Sequence, residues 1–281
     1  QLFIGSEGTL GVITGVALQT FPTPTSKNVA LLGVNTFTDV LSIYTLARAM
    51  LCDTLSALEF WDHDSMELLF QDDSDASQRP FAQAHFPFYL LIETSSSSDE
   101  HNQHLLAKYL ERLLEDGLVS DGTMATNQTK FKALWGYRER IPVVALRGHG
   151  LTYDLTLPVE HFYSVVTAIK QRLSDHGLYR GFGDLNAPVR VVCGLGHLGD
   201  GNIHLLISLN EPNEMVQQCV EPFIYRWVSE RRGSISAEHG LGITKAPYLH
   251  YSRSPVIIDH MKRIKQVFDP QGIMNPYKMF V

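Results

Sequence analysis

Cysteine is scarce in this 281-residue chain. Cys52, Cys193 and Cys219 are odd in number and have no CxxC spacing, which excludes a disulfide scaffold. Reduced, largely buried thiols of an intracellular protein are expected instead. Positive charge is also in short supply, with 23 Lys and Arg against 30 Asp and Glu, a formal net charge of −7. That balance argues against a general nucleic-acid binder. No apolar run has the length of a membrane-spanning helix, and the lone Asn127-Gln128-Thr129 sequon carries little weight without a secretory signal. What remains is globular: 44% apolar and 19% charged residues, with length for two domains or one large one. The opening Gln1-Leu2-Phe3-Ile4-Gly5 has no initiator Met and begins as if in mid-strand, so a fragment of a longer protein is expected.

Residues 1–18 read as strand, glycine turn, strand, the turn running from Gly5 through Gly8 to Gly11. N–H groups from Ser6 to Thr9 can hold phosphate or ribityl oxygens there, although a plain tight hairpin explains the same glycines and the spacing matches no Walker or dinucleotide fingerprint. Residues 21–27, Phe-Pro-Thr-Pro-Thr-Ser-Lys, form a linker and a first domain boundary. Strands are expected at 28–34, 55–61, 88–94, 153–157, 190–193 and 203–209. Helices are expected at 37–50, 101–114, 128–140 (with Pro142 disturbing the end), 159–173, 216–228 and 260–268. The acidic run 72–77 reads as a solvated connection, and 95–98, four serines, as a flexible turn. Strands and helices alternate without a regular βαβ period. The fold class is therefore α+β, a large antiparallel sheet covered by helices.

The chemistry concentrates in two stretches. His197 and His204 flank Gly199-Asp200-Gly201, and a hairpin there sets the two imidazoles on facing strands. A chance pair is common in a chain with twelve histidines, but Glu238 in Ser236-Ala237-Glu238-His239-Gly240 supplies the carboxylate that the pair lacks. Two imidazoles and one carboxylate leave coordination positions open, as a catalytic divalent metal requires. Asp200 is a further ligand or, between two glycines, a turn residue. His239 is a candidate general base beside that metal. Arg138 and Arg140 lie near a helix end, where one can grip a carboxylate or both can form a solvated surface pair.

Three motifs together resemble the FAD-linked oxidase family of the vanillyl-alcohol-oxidase type: Gly-His-Leu-Gly-Asp-Gly-Asn-Ile-His at 196–204, Ser-Ala-Glu-His-Gly-Leu-Gly at 236–242, and Phe-Asp-Pro-Gln-Gly-Ile-Met-Asn-Pro-Tyr-Lys at 268–278. Residues 121–126 and 134–141 bring the likeness nearer to members that oxidise D-2-hydroxyglutarate than to D-lactate relatives. The resemblance implies a ferredoxin-like cap domain at 26–245 holding the metal site. Residues 1–25 then form the edge of an FAD-binding domain, and 246–281 a segment returning to the flavin. It implies that Gly5, Ser6, Glu7, Gly8, Thr9 and Asn275 line FAD, that His197, His204 and Glu238 bind zinc, and that Arg138 grips the substrate carboxylate. His239 would take the hydroxyl proton as hydride passes from C2 to flavin N5.

The same likeness implies an electron-transfer acceptor such as electron-transfer flavoprotein, a homodimer and a mitochondrial location. Without the rest of its flavin domain, this chain is not expected to hold FAD tightly. Pro142 and Leu206 stand where the family has a polar threonine and asparagine, and a family lysine near Thr152 is missing. A second substrate carboxylate loses hydrogen bonds there. D-lactate becomes an alternative substrate, and a non-catalytic metal-binding or oligomerisation fragment the alternative class.

Overall fold

Neighbouring residues in the strands, such as Leu31 and Leu32 or Phe60 and Trp61, are all buried. A strand apolar on both sides needs cover on both faces, so the sheet must lie between two layers of helix. The computed structural model describes residues 1–72, 79–81 and 85–280 and bears this out. Its first half runs β1 (Ser26–Val34), α1 (Phe37–Met50), β2 (Leu55–Asp62), α2 (His63–Asp72), β3 (Phe88–Ser96), α3 (Asp99–Glu115) and β4 (Asp121–Met124). After α4 (Gln128–Ala145) come β5 (His149–Thr156), α5 (Ser164–Asp175), β6 (Val189–His197), β7 (Asn202–Leu209), α6 (Glu214–Glu230) and α7 (Pro255–Phe268). Side chains of Thr36, Ser98, Asn127, Asn213 and Ser254 cap the helices that follow them by accepting first-turn N–H bonds.

Among the described residues the strands form one seven-stranded sheet in the order β4-β1-β3-β2-β6-β7-β5, with every pairing antiparallel. The first four strands, in spatial order 4-1-3-2, are a ferredoxin-like unit. The second half repeats the plan. β5, β6 and β7 take the first three places, and a single bridge between Ser234 and Thr156 takes the fourth. The halves join where β2 meets β6, pairing Glu59 with His197 and Trp61 with Leu195. Helices α1, α3, α5 and α6 pack one face. Helices α2 and α4 cover only part of the other, where Trp61, Leu91, Leu195 and Leu206 are buried. The uncovered remainder of that face carries the site. No helix of the described residues is long and apolar enough to cross a membrane.

Several expectations need correction. Residues 1–10 fold into turns and 11–24 form neither helix nor ladder, so the strands expected at 2–4 and 12–18 do not form. Val12, Val16, Leu18 and Phe21 are each at least 71% exposed. The β-branched residues there signalled strands, but no strand of this sheet lies beside them to accept their hydrogen bonds. Helix α4 continues through Pro142 to Ala145 because Ile141, Val144 and Ala145 are buried against the sheet and hold the last turn. The helix expected at 159–173 divides into a 3-10 turn, Val159–His161, and α5. Helix α7 begins earlier than expected, with Ser254 as its cap and Pro255 in its first turn, where the missing N–H costs nothing. Ser95 and Ser96 extend β3, and Cys52 is exposed while Cys193 and Cys219 are buried. In the acidic run Asp72 closes α2; its other residues, 73–77, lie outside the described residues.

Candidate metal and substrate site

The turn between β6 and β7 is one 3-10 turn, Leu198–Asp200, closed by Gly201 at φ +68°. A Cβ on Gly201 would stand 2.6 Å from the carbonyl oxygen of Leu157, so only glycine fits this left-handed position. The register then sets His197 opposite Asn202 and His204 opposite Leu195. Side chains two apart share a face, so both imidazoles point to the same side of the sheet, with ring centroids 5.6 Å apart and planes at 85°.

Glu238 and His239 reach this face on a loop whose backbone at 237–239 is gripped by one buried carboxylate. Asp154, paired with His204 across β5 and β7, is 1% exposed. Its Oδ2 accepts the consecutive backbone N–H groups of Ala237, Glu238 and His239 at 2.9, 2.8 and 2.8 Å, and its Oδ1 accepts Asn202 Nδ2 at 2.9 Å. Burial raises the pKa of Asp154, but the N–H groups of His239 and Glu238 and the Asn202 amide outweigh it and hold the carboxyl below its ordinary value.

Glu238 Oε1 lies 3.3 Å from His197 Nε2 and 4.0 Å from His204 Nε2. Tetrahedral zinc with bonds of about 2.0–2.1 Å holds its ligand atoms about 3.3 Å apart. The trio therefore matches that donor set within a small side-chain adjustment, its ligand atoms all lying within 4.8 Å of one another. Burial, with Arg138 second, lowers His204 to about 4, leaving its ring neutral with a lone pair to give. The hydrogen bond that its Nδ1–H donates to Glu59 raises the pKa of His197, against the opposing effect of burial. Asp154, His204 and His239 form a second close group, but Asp154 is already committed to N–H donors. Elsewhere His63, Glu67 and His85 cluster, and there Arg79 holds the carboxylate at 2.5 and 2.9 Å, an ion pair already complete.

Arg138, from α4, is 8% exposed and donates from Nε to Glu59 Oε2 at 2.9 Å. Among the described residues its two terminal nitrogens have no partner. Arg138 lines a cavity of about 380 Å³ together with His197, His204 and His239, and the apolar side chains of Pro142, Leu146 and Leu206 line it too. Thr152 also lines it, and Asp200 is exposed outside the cluster of ligand atoms. His239 stacks on His204, centroids 5.3 Å apart and planes at 14°.

His239 also borders a second cavity, of about 480 Å³, which Gly5 and Glu7 line as well. Here the N-terminal turns meet the C-terminal segment. Glu7 accepts Leu241 N at 2.7 Å and Gly242 N at 2.8 Å, and Asn275 Nδ2 donates to the Glu7 carbonyl. Ser6 and Thr9 turn their hydroxyls back onto Phe3 O and Ser6 O. The N–H groups of Gly5, Glu7 and Gly8 take no partner among the described residues. Free N–H groups beside glycines suit the oxygens of a phosphate-bearing cofactor.

The five residues read from sequence as metal ligands, base and carboxylate grip thus converge on one site, and Gly5 to Thr9 meet Asn275 beside it. Sequence reasoning missed Glu59 and Asp154. The available signal was a lone carboxylate inside an apolar strand, Ala-Leu-Glu-Phe-Trp and Leu-Thr-Tyr-Asp-Leu.

The family model for the C-terminal domain of FAD-linked oxidases matches residues 23–279. The chain belongs to this family. Mitochondrial D-2-hydroxyglutarate dehydrogenase of Rattus norvegicus is 44% identical over 279 residues, covering 99% of this chain and 49% of the rat protein. D-2-hydroxyglutarate–pyruvate transhydrogenase of Saccharomyces cerevisiae is 40% identical, over 99% and 55%. A mitochondrial protein of Schizosaccharomyces pombe, provisionally named a D-lactate dehydrogenase, is 44% identical, over 99% and 52%. The chain thus spans about half the length of these curated relatives. Among solved structures, alkyldihydroxyacetonephosphate synthase matches with a TM-score of 0.62 at 16% identity, over 97% of this chain and 48% of that one. p-Cresol methylhydroxylase matches with 0.61 at 10%, over 92% and 54%. These two likenesses establish the shared fold of this FAD-linked oxidase domain.

Proposed function

We propose that this FAD-linked oxidase domain is the substrate- and metal-binding part of an FAD-dependent D-2-hydroxy-acid dehydrogenase. The observation that carries the reading is His239, which borders both the Arg138 cavity and the cavity facing Gly5 and Glu7. A proton acceptor between a carboxylate grip and a cofactor edge is what oxidation of a 2-hydroxy acid needs. In this reading residues 1–25 and 246–281 flank the flavin and 26–245 form the cap.

Arg138 takes the substrate C1 carboxylate through its terminal nitrogens, a bidentate contact that fixes C2 beside the histidines. His239 accepts the hydroxyl proton at a ring nitrogen, and its stacking on His204 holds the ring plane. Asp154 keeps His239 in place through the backbone. Leu206 and Pro142 exclude water from one wall. When bound, zinc on His197, His204 and Glu238 supplies Lewis-acid polarisation of the hydroxyl, and FAD beside Gly5 to Thr9 and Asn275 supplies the two-electron acceptor. A separate acceptor protein would take the electrons onward, and the mitochondrial names of the rat and S. pombe relatives support a mitochondrial location.

D-2-hydroxyglutarate is the first substrate to test, on the names of the rat and yeast relatives. D-lactate is the second, because Pro142, Leu146 and Leu206 offer a distal carboxylate no hydrogen bond. The test is turnover by the full-length protein, loaded with FAD and zinc, on both acids side by side, with His239→Gln as control. The control should lose about 10²–10⁴-fold in kcat. Preference for either acid selects between the two. No turnover of either, with flavin and metal bound, overturns the assignment.

A further inference from the structure

Glu59 is a carboxylate inside β2, 5% exposed, between Leu58 and Phe60 at 3% and 0%. Burying a carboxylate there is costly unless its oxygens are satisfied. Its two oxygens are divided between two partners. Oε1 lies 2.8 Å from His197 Nδ1, and Oε2 accepts Arg138 Nε at 2.9 Å. We propose that Glu59 is a positioning residue that fixes the tautomer of metal-ligating His197 and, through its other oxygen, aims Arg138 into the substrate cavity. The inference rests on the proposed function for the roles of those two partners.

The chemistry follows from the donor inventory. An ionised carboxylate only accepts, so the His197 proton must sit on Nδ1. That leaves the Nε2 lone pair directed to Glu238, 3.3 Å away, which is the side the metal would occupy. The other tautomer would set a lone pair against Glu59 and an N–H against the metal. On the second oxygen, engaging Nε leaves both terminal guanidinium nitrogens for substrate. The Glu59 charge also offsets the buried Arg138 cation, which would otherwise repel a divalent metal nearby. Geometry holds all three groups together. Glu59 and His197 are a cross-strand pair at the β2–β6 junction, and Arg138 descends onto them from α4. One carboxylate thus links the metal ligand on one half of the sheet to the substrate grip over the other.

The experiment compares wild type with Glu59→Gln and Glu59→Met. It measures Zn²⁺ affinity by chelator competition, and the KM and kcat of the FAD-loaded full-length protein. Gln keeps the size but presents an N–H₂ to one of two donors, and Met removes both acceptors. Zn²⁺ binding should weaken about 10–100-fold in each, and KM should rise for the 2-hydroxy acid. In metal-free wild type with His197 neutral, nitrogen NMR should find its proton on Nδ1, beside Glu59 Oε1, a readout that needs no variant and decides the matter if both variants misfold. Wild-type Zn²⁺ affinity in folded Glu59→Gln and Glu59→Met, or a proton on His197 Nε2, overturns the inference and leaves the proposed function standing. No Zn²⁺ binding by wild type overturns both. A lowered unfolding midpoint with unchanged Zn²⁺ affinity and KM would mark Glu59 as structural only and likewise overturn it.

Discussion

Replacing Asp154 by Asn tests the idea that one buried carboxylate holds the loop bearing Glu238 and His239. The Asn side chain keeps the shape but presents one oxygen and one N–H₂. Its best orientation keeps the oxygen on the three backbone N–H groups and turns the N–H₂ to Asn202. Asn202 would have to rotate its amide to accept, giving up its 3.3 Å bond to Leu155 O. Hydrogen bonds to a charged acceptor contribute about 1.5–3 kcal/mol against about 0.5–1.5 for neutral ones, a loss of about 1 kcal/mol at each of three N–H groups. Relief from burying the charge returns part of this, leaving a net cost of about 2 kcal/mol. In the closed-to-open balance of the loop that is about 30-fold, which sets the upper limit on the loss of metal affinity, because Glu238 rides on the loop. Urea unfolding and zinc titration of Asp154→Asn measure both. The pH dependence supplies a second check. Because the native carboxyl is held below its ordinary value, its contribution is present above the unfolded value of about 3.9 and is lost as pH falls through the lower native one. The variant should lack this acid-side loss. Wild-type stability and zinc affinity in Asp154→Asn would refute the reasoning.

Zinc at a hundred times its dissociation constant should raise the unfolding free energy by about 2.7 kcal/mol, reversed by a chelator and absent in His204→Ala. An unfolding midpoint indifferent to zinc would dismiss the trio as a metal site. Gly201→Ala should destabilise by about 1–3 kcal/mol, since the left-handed backbone is strained for any side chain and the added methyl meets Leu157 O at 2.6 Å. A denaturation midpoint equal to wild type would contradict the turn geometry. Glu7→Gln keeps one acceptor and turns an N–H₂ against the other donor, costing about 1–2 kcal/mol. Hydrogen exchange should therefore quicken at Leu241 and Gly242, and unchanged protection at both amides would count against Glu7 as their anchor.

The sequence by itself determined whatever depends on near neighbours. Helical spacing placed α1 at its observed bounds, and short apolar segments located β1, β2, β3 and the β6–β7 hairpin. The glycine turn set His197 and His204 on one face, because a hairpin's register follows from the few residues that close it. Local signals misled where long-range contact decided. Pro142 reads as a helix breaker, but burial of Ile141, Val144 and Ala145 carries α4 past it. The apolar run after Gly11 reads as a strand, but no partner strand stands beside it in this sheet. Tertiary structure alone decided the two carboxylates that organise the site. Glu59 meets His197 across 138 positions of sequence, and Asp154 meets the Glu238 amide across 84. Nothing in the spacing around either residue records its partner. A buried carboxylate is stable only where distant donors converge on it: for Glu59 that needs the two halves of the sheet closed edge to edge, and for Asp154 the 237–239 loop packed onto β5.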